Sequence, residues 1–170
     1  TGDFNYESEL SGNIQFPFLA NLCYKYATKT NTMLCIKEDP LSTTETICSA
    51  NEAKQTFNSG APVQIANFKE TPRGDDKIAF TFDVIHRGTG NIFGQNSGCE
   101  DSITNKNKVF LTVNTGIDGL ECTGLTEGGY LTLYEGKRSV TCSQSVSGAT
   151  GDFEKVTEIT IDYDYEQEKL

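Results

Sequence analysis

The sequence feature that most constrains the fold is a two-residue alternation of apolar and polar side chains. From Ile78 to Val84 every second residue is apolar, and the residues between them are small or polar. This period predicts a β-strand with one buried face and one solvent-facing side. A second apolar stretch, Val63–Phe68, precedes it across the turn-forming segment Pro72–Asp76. The two strands are therefore expected to form a hairpin.

The first strand of this hairpin breaks phase once. Val63 and Ile65 share a face, whereas Phe68 lies on the other. An extra residue in one strand shifts every later side chain, so a β-bulge near Ala66–Asn67 is expected to restore the phase. The second strand ends at His86–Gly90, where we expect two glycines to take positive φ and redirect the chain between sheets.

Further short segments of strand character recur along the chain. They are Asn13–Tyr26, Asn31–Ile36, Lys108–Val113, Tyr130–Tyr134, Arg138–Cys142 and Val156–Tyr165. A tight hairpin is expected across Glu135–Lys137, and one short helix is a candidate at 49–57, where Ser49 or Asn51 can cap it. The sequence therefore predicts an all-β fold: an Ig-like antiparallel β-sandwich of roughly seven to nine strands, with a jelly-roll arrangement as a variant that stays open.

Six cysteines, with wide gaps and no Cys-x-x-Cys pair, predict three disulfides rather than a zinc site. Six cysteines allow 15 pairings. We favour Cys122–Cys142, which brackets the late hairpin, and Cys35–Cys48, which closes a short loop, and this leaves Cys23–Cys99. Disulfides favour an extracellular or cell-surface location. Reduced, buried thiols in a cytosolic protein stay open as the alternative.

The net charge of −10 bears on partners rather than on the fold. It argues against nucleic acid, whose phosphates would be repelled, and it disfavours anionic membrane surfaces. No apolar run approaches the ~18 residues that a membrane-spanning helix needs. No motif specifies a cofactor or a metal site, and none is expected.

The stretch GAPVQIANFKETPRGDDKIAFTFDVIHRGTGNIF (Gly60–Phe93) resembles the Ig-like β-sandwich modules of archaeal and bacterial surface proteins, including the adhesion-related CARDB domains. The wider arrangement of LCYKY, MLCI, a cysteine-bearing loop and a closing Cys-to-Cys hairpin before ITIDYDY is similar to cysteine-rich sandwich domains of uncharacterised archaeal secreted or membrane-anchored proteins. The likeness runs from about Leu22 to Tyr165. Proteins of this kind serve as spacers, adhesins and assembly subunits, so the resemblance implies a role of that class and supplies no catalytic residue.

Three groups of polar residues are candidates for a site. His86 has no accompanying nucleophile or metal motif and is interpreted as a structural residue of the corner, so no catalytic residue is assigned. Asp162, Asp164 and Glu166 follow one another on one strand face at spacings of about 6.6 Å, which favours a solvated face, with calcium binding as the alternative. The tyrosines of the strands are expected at the sandwich edge with solvated hydroxyls, with a carbohydrate platform as the alternative.

The N-terminal segment offers the most specific hypothesis. Residues 1–20 are interpreted as an arm or donor-type strand, residues 21–166 as the sandwich and residues 167–170 as an exposed tail. Within the arm Ile14, Phe16 and Phe18 alternate with other residues and form an apolar row that can fill a groove. We expect a non-enzymatic structural subunit of a filament, pilus-like fibre, surface layer or virion that self-associates through this row and a sheet edge. An adhesive module that binds carbohydrate or calcium is the alternative, and pairing of the arm within its own sandwich stays open.

Overall fold

The computed structural model describes residues 7, 9, 12, 13, 15, 17, 19–44, 47–126 and 128–169. These residues form eleven β-strands and contain no helix. The strands are β1 (Ala20–Ile36), β2 (Glu52–Ala53), β3 (Phe57–Asn58), β4 (Val63–Pro72), β5 (Lys77–His86), β6 (Asn91–Phe93), β7 (Lys108–Asn114), β8 (Leu120–Thr123), β9 (Tyr130–Thr132), β10 (Lys137–Ser145) and β11 (Phe153–Lys169).

The strands form two antiparallel sheets around one apolar core. One sheet has the order β3-β1-β11-β7-β9, with β6 also paired to β11, and the other has the order β2-β4-β5-β10-β8. Residues from both sheets, such as Phe80 of β5 and Ile159 of β11, are fully buried in this core. The predicted antiparallel β-sandwich is confirmed.

The hairpin of β4 and β5 forms as predicted, with a bulge in the predicted place. The pairing register shifts between Ala66 and Lys69, and Asn67 adopts a φ of 52°. The shift turns Phe68 into the core, where its ring stacks on Phe80 with 5.2 Å between centroids. A two-residue period with one phase break was therefore sufficient to locate the bulge.

The segment expected to hold a short helix, residues 49–57, instead joins the edges of the two sheets. Its strand β2 pairs with β4, and β3 pairs with β1. Between them the Lys54 N–H donates to the Phe68 carbonyl at 2.8 Å. The helix prediction is wrong because pairing with open sheet edges satisfies the backbone groups of this segment, which outweighs a weak local helix signal.

β1 is one strand where two were expected. The residues between the two predicted strands, 27–30, include the polar Thr28 and Thr30. These two and the following Thr32 occupy inward-facing positions and are buried. The Thr28 hydroxyl donates to the Val63 carbonyl at 2.7 Å, and Thr32 donates to the Gln55 carbonyl at 2.8 Å. Hydrogen bonds thus make these polar residues compatible with the interior.

The strand pairing at the turn after β9 also differs from the expectation. Tyr134 and Lys137 form an isolated bridge around this turn, but β9 belongs to one sheet and β10 to the other. The tight turn itself forms as expected, with reciprocal backbone hydrogen bonds between Tyr134 and Lys137. What differs is that β9 and β10 do not pair as a hairpin, because the turn carries the chain from one sheet to the other.

Three disulfides cross-link the sandwich, and they are the three pairs favoured from the sequence. They are Cys23–Cys99, Cys35–Cys48 and Cys122–Cys142, with Cα–Cα distances of 6.0, 5.6 and 4.0 Å. The last pair joins residues directly opposite each other on β8 and β10. Three disulfides are typical of proteins that mature in an oxidising environment.

Candidate interaction site: the ribbon formed by β1 and β11

The longest element of the fold is the pair of β1 and β11. The two strands are paired from Ala20 with Lys169 to Ile36 with Phe153. A strand of 17 residues is about 53 Å long at ~3.3 Å per residue. This pair therefore spans the sandwich and sets its long axis.

One end of the pair extends past the other strands. We call this end, together with the adjoining residues where β6 still pairs with β11, the ribbon; it comprises Ala20–Lys25 and Asp164–Lys169. β6 pairs with β11 only at Asp164–Glu166, so the last three residues of β11 pair only with β1 among the described residues. Residues 167–169, expected as a tail, thus belong to a strand.

Tyr165 packs the inner face of the ribbon against the segment His86–Gly90 at the end of β5, which we call the corner. Its hydroxyl accepts a hydrogen bond from the Gly90 N–H at 2.7 Å. A Cβ atom at Gly90 would overlap the Glu166 carbonyl and lie 2.8 Å from Cζ of Tyr165, and one at Gly88 would overlap the Tyr165 hydroxyl. Neither glycine has positive φ, so the expected reason for them is wrong. They are needed because the tyrosine lies directly against the backbone.

Four tyrosines continue this inner face along the strand pair. Tyr24 lies opposite Tyr165 and Tyr26 opposite Tyr163, with ring centroids 5.8 and 5.7 Å apart. The hydroxyls of Tyr26, Tyr163 and Tyr165 bond to the backbone of Gly60, Val63 and Gly90, respectively. The expectation of solvated hydroxyls is wrong for Tyr163 and Tyr165, which are buried, whereas the Tyr26 hydroxyl makes its bond at an exposed position.

On the outer face, Asp164 anchors the loop that follows β6. Its carboxylate accepts the Gly98 N–H at 2.7 Å and the Asn96 N–H at 3.1 Å, with the Ser97 hydroxyl at 3.4 Å. The next residue of the loop, Cys99, is bonded to Cys23 of β1. The ribbon is thus fixed on both faces.

The predicted solvated face is therefore wrong at Asp164, whereas Asp162 and Glu166 keep part of their surface exposed. Asp164 is only 2% exposed, and its oxygens are used by backbone N–H groups. No group of three or more metal-ligating side chains lies together within the described part of the chain. No contact among these residues favours the calcium alternative.

His86 is the last residue of β5 and the first residue of the corner. Its ring makes an edge contact with Tyr165 at 5.9 Å between centroids. Its Nε2 is buried, without a hydrogen-bond partner among the described residues. Burial lowers the pKa of the imidazole below its usual value, so His86 is neutral at neutral pH.

The outer edge of the ribbon has no strand partner among the described residues. β3 pairs with β1 only at Thr30 and Asn31, and no described strand pairs with that edge between Ala20 and Ala27. Leu22 is 54% exposed on the ribbon, and Leu19 beside it is 61% exposed. An edge without a described strand partner, beside exposed apolar side chains, has the features of an edge that can accept another strand.

A second buried carboxylate lies toward the opposite end of β1. Glu70 of β4 is fully buried, and its oxygens accept the Cys35 N–H at 3.0 and 3.2 Å. Lys54 lies 3.5 Å away and also binds the exposed Glu52. Desolvation raises the pKa of Glu70 from 4.5 to about 7, while the Cys35 N–H and Lys54 oppose this rise.

The expected contact residues of the arm, Ile14, Phe16 and Phe18, lie outside the described residues. Sequence reasoning missed Asp164 and Tyr165 as anchoring residues. Their partners lie 66 and 75 positions away, so the local alternation gave no signal for them. The glycines at 88 and 90 were the available signal, because glycine also marks close backbone approach.

No helix in the described part of the chain has the length and apolar character required to cross a membrane. The chain matches no protein-family model, no curated protein sequence and no solved structure. The function of the protein is therefore inferred from the geometry of the ribbon and its contacts.

Proposed function

We propose that the protein is a non-enzymatic, extracellular structural subunit that assembles with copies of itself into a filament, pilus-like fibre, surface layer or virion. The contacts run through the N-terminal arm and the open edge of β1. The observation that carries the proposal is the ribbon: an edge without a described strand partner, fixed on both faces at one end of the molecule.

Rigidity of the ribbon supports an interface there. The disulfide Cys23–Cys99, the Asp164 loop contacts and the Tyr165 contact all lie within a few residues of one another on the two paired strands. An edge that is ordered before binding loses less conformational entropy when it pairs with another chain. These contacts would be unusual in a ribbon that only trails from the fold.

The sequence leading into the ribbon also supports self-association. Ile14, Phe16 and Phe18, which we call the apolar triplet, precede Ala20 directly, and the segment 11–19 contains no charged residue. Elsewhere the chain is strongly acidic, with a net charge of −10. An uncharged, alternating segment can approach another copy without charge repulsion and can supply main-chain hydrogen bonds.

The test is the particle size of the native, oxidised protein as a function of concentration. We expect the wild-type protein to form assemblies larger than a monomer in sedimentation velocity experiments. The triple variant I14S/F16S/F18S should remain monomeric, because it lacks the apolar anchors.

A matched control is N13S/Q15S, which changes the same segment without removing apolar side chains and should assemble like the wild type. A wild-type protein that stays monomeric at every concentration contradicts the proposal. So does a triple variant that assembles as well as the wild type.

A further inference from the structure

The end of the sandwich opposite the ribbon contains an open cleft of about 630 Å³. It lies where β1 ends and β11 begins. It is lined by Ile36, Ile117, Asp118, Gly119, the segment Ser145–Thr150 and Phe153. We call it the end cleft. Its volume is within the range of sites that bind side chains or small ligands.

The floor of the end cleft is part of the hydrophobic core. Ile36 and Val146 are almost fully buried, and Ile117 and Ala149 are partly buried residues that pack against the core. Phe153, at the mouth, is 39% exposed. Ile117, Ala149 and Phe153 therefore keep apolar surface exposed at this end, and an apolar occupant would bury that surface.

The charge of the lining restricts the occupant. Asp118 is the only charged side chain among the described residues that line the cleft. The lining thus has little of the acidic character of the rest of the chain. An uncharged apolar segment fits this surface better than a charged one.

The arm of the same molecule cannot place the apolar triplet in the end cleft. Ile14 is six residues from Ala20, and so at most about 22 Å from it along an extended chain. The end cleft lies beside Ile36, about 53 Å from Ala20 along β1. An occupant taken from the triplet must therefore come from a second copy.

We propose that the end cleft of one copy binds the apolar triplet of the next, so that copies join head to tail. This inference rests on the proposed function and assigns the receiving site. Donor and receiving surfaces lie at opposite ends of the long axis, so the contact is heterologous. Repetition of such a contact produces an open filament unless the rotation closes a ring.

Two full-length variants separate the donor from the receiving surface. I14S/F16S/F18S keeps the end cleft and lacks the donor, whereas Ala149→Glu keeps the donor and places a carboxylate over the cleft floor. We expect each variant alone to be monomeric. An equimolar mixture should form a dimer of twice the 18.6 kDa chain mass and stop there, because the dimer has no intact donor and cleft left to extend.

A second blocking variant, Thr150→Glu, alters an exposed position of the lining and guards against misfolding of Ala149→Glu. The control is Thr112→Glu, an exposed position that lines a separate groove between β7 and β8. It should assemble like the wild type.

The outcomes distinguish the two proposals. If the wild type assembles and the triplet variant does not, but both cleft variants still assemble, the proposed function stands and the end cleft is wrong as the receiving site. Loss of assembly in Thr112→Glu alone moves the site to the β7–β8 groove and also overturns this inference. Failure of the mixed variants to form a dimer overturns the head-to-tail contact.

Discussion

The two ends of the β1–β11 pair differ in the contacts that hold the paired strands in place. At the ribbon, the strands extend beyond the rest of the sandwich. They are fixed there by a disulfide and by Asp164, whose carboxylate accepts hydrogen bonds from two backbone N–H groups. At the other end, the strands lie over the core, and the buried Glu70 carboxylate has one backbone N–H and Lys54 at 3.5 Å. The ribbon is thus fixed by specific contacts, whereas the opposite end, over the core, contains the end cleft.

This contrast has a physical reason. A two-stranded ribbon buries little apolar surface and is only marginally stable without other contacts. Covalent and charge-assisted contacts must therefore hold the ribbon, whereas at the opposite end the Cys35–Cys48 disulfide and the Glu70 contact act in addition to burial in the core. The ribbon buries little apolar surface and is nevertheless fixed by a disulfide and by the Asp164 contacts. This supports a role for the ribbon outside the fold.

The largest expected effect comes from removing one disulfide at each end. On the chain-entropy model, loss of the 76-residue loop in C23S/C99S costs about 4.5 kcal/mol of unfolding free energy. Loss of the 13-residue loop in C35S/C48S costs about 3 kcal/mol on the same model. Urea unfolding of the two variants and the wild type measures both values. Equal or reversed losses would contradict the chain-entropy account, in which the longer loop makes the ribbon disulfide the more stabilising of the two.

The next effect is a pH dependence from Glu70. Its pKa is 4.5 in the unfolded chain and about 7 in the folded one, so the folded state binds the proton more tightly. The stabilising contribution is complete below pH 4.5 and is lost as the pH rises to about 7, by roughly 3 kcal/mol over this window. Lys54 and Glu52 face the same group and are unchanged in the test.

Glu70→Gln should flatten this part of the profile, since the amide does not titrate. Urea unfolding at pH 4.5, 6 and 8 is the measurement, and Glu168→Gln on the exposed ribbon is the control. A profile that keeps its full slope in Glu70→Gln would assign the pH dependence elsewhere.

The smallest effect concerns one added methyl group at the ribbon. Gly90→Ala forces a Cβ against the Glu166 carbonyl and the Tyr165 ring, and we expect a loss of about 2–3 kcal/mol. Gly60→Ala meets no atom within 4 Å and has no positive φ, so its effect should stay within about 0.5 kcal/mol. Thermal unfolding compares the two. A Gly90→Ala protein as stable as Gly60→Ala would show that Tyr165 does not hold the corner closely.

The sequence predicted the parts of the fold that depend on local period. The alternation in β5 and the phase break before Phe68 located a hairpin and its bulge. The prediction failed where polar side chains find distant partners. Thr28 and Thr32 appear solvent-facing in sequence, but carbonyls from other segments accept their hydroxyl protons.

The candidate site was predicted only in part for the same reason. The Cys23–Cys99 bond that fixes the ribbon was predicted as the pair left once the other two disulfides had been assigned. Asp164, however, was interpreted as solvated, because nothing local reveals that a loop 66 residues away donates two N–H groups to it. Contacts of this range arise from topology, which period alone does not specify.

Electron microscopy of the purified, oxidised protein tests the central claim most directly. If copies join head to tail along the β1–β11 axis, unbranched fibres should appear with an axial repeat of about 53 Å, the length of one strand pair. Particles of single-molecule size at all concentrations would contradict the account. Fibres with a repeat far below this length would also contradict it, because copies would then stack side by side.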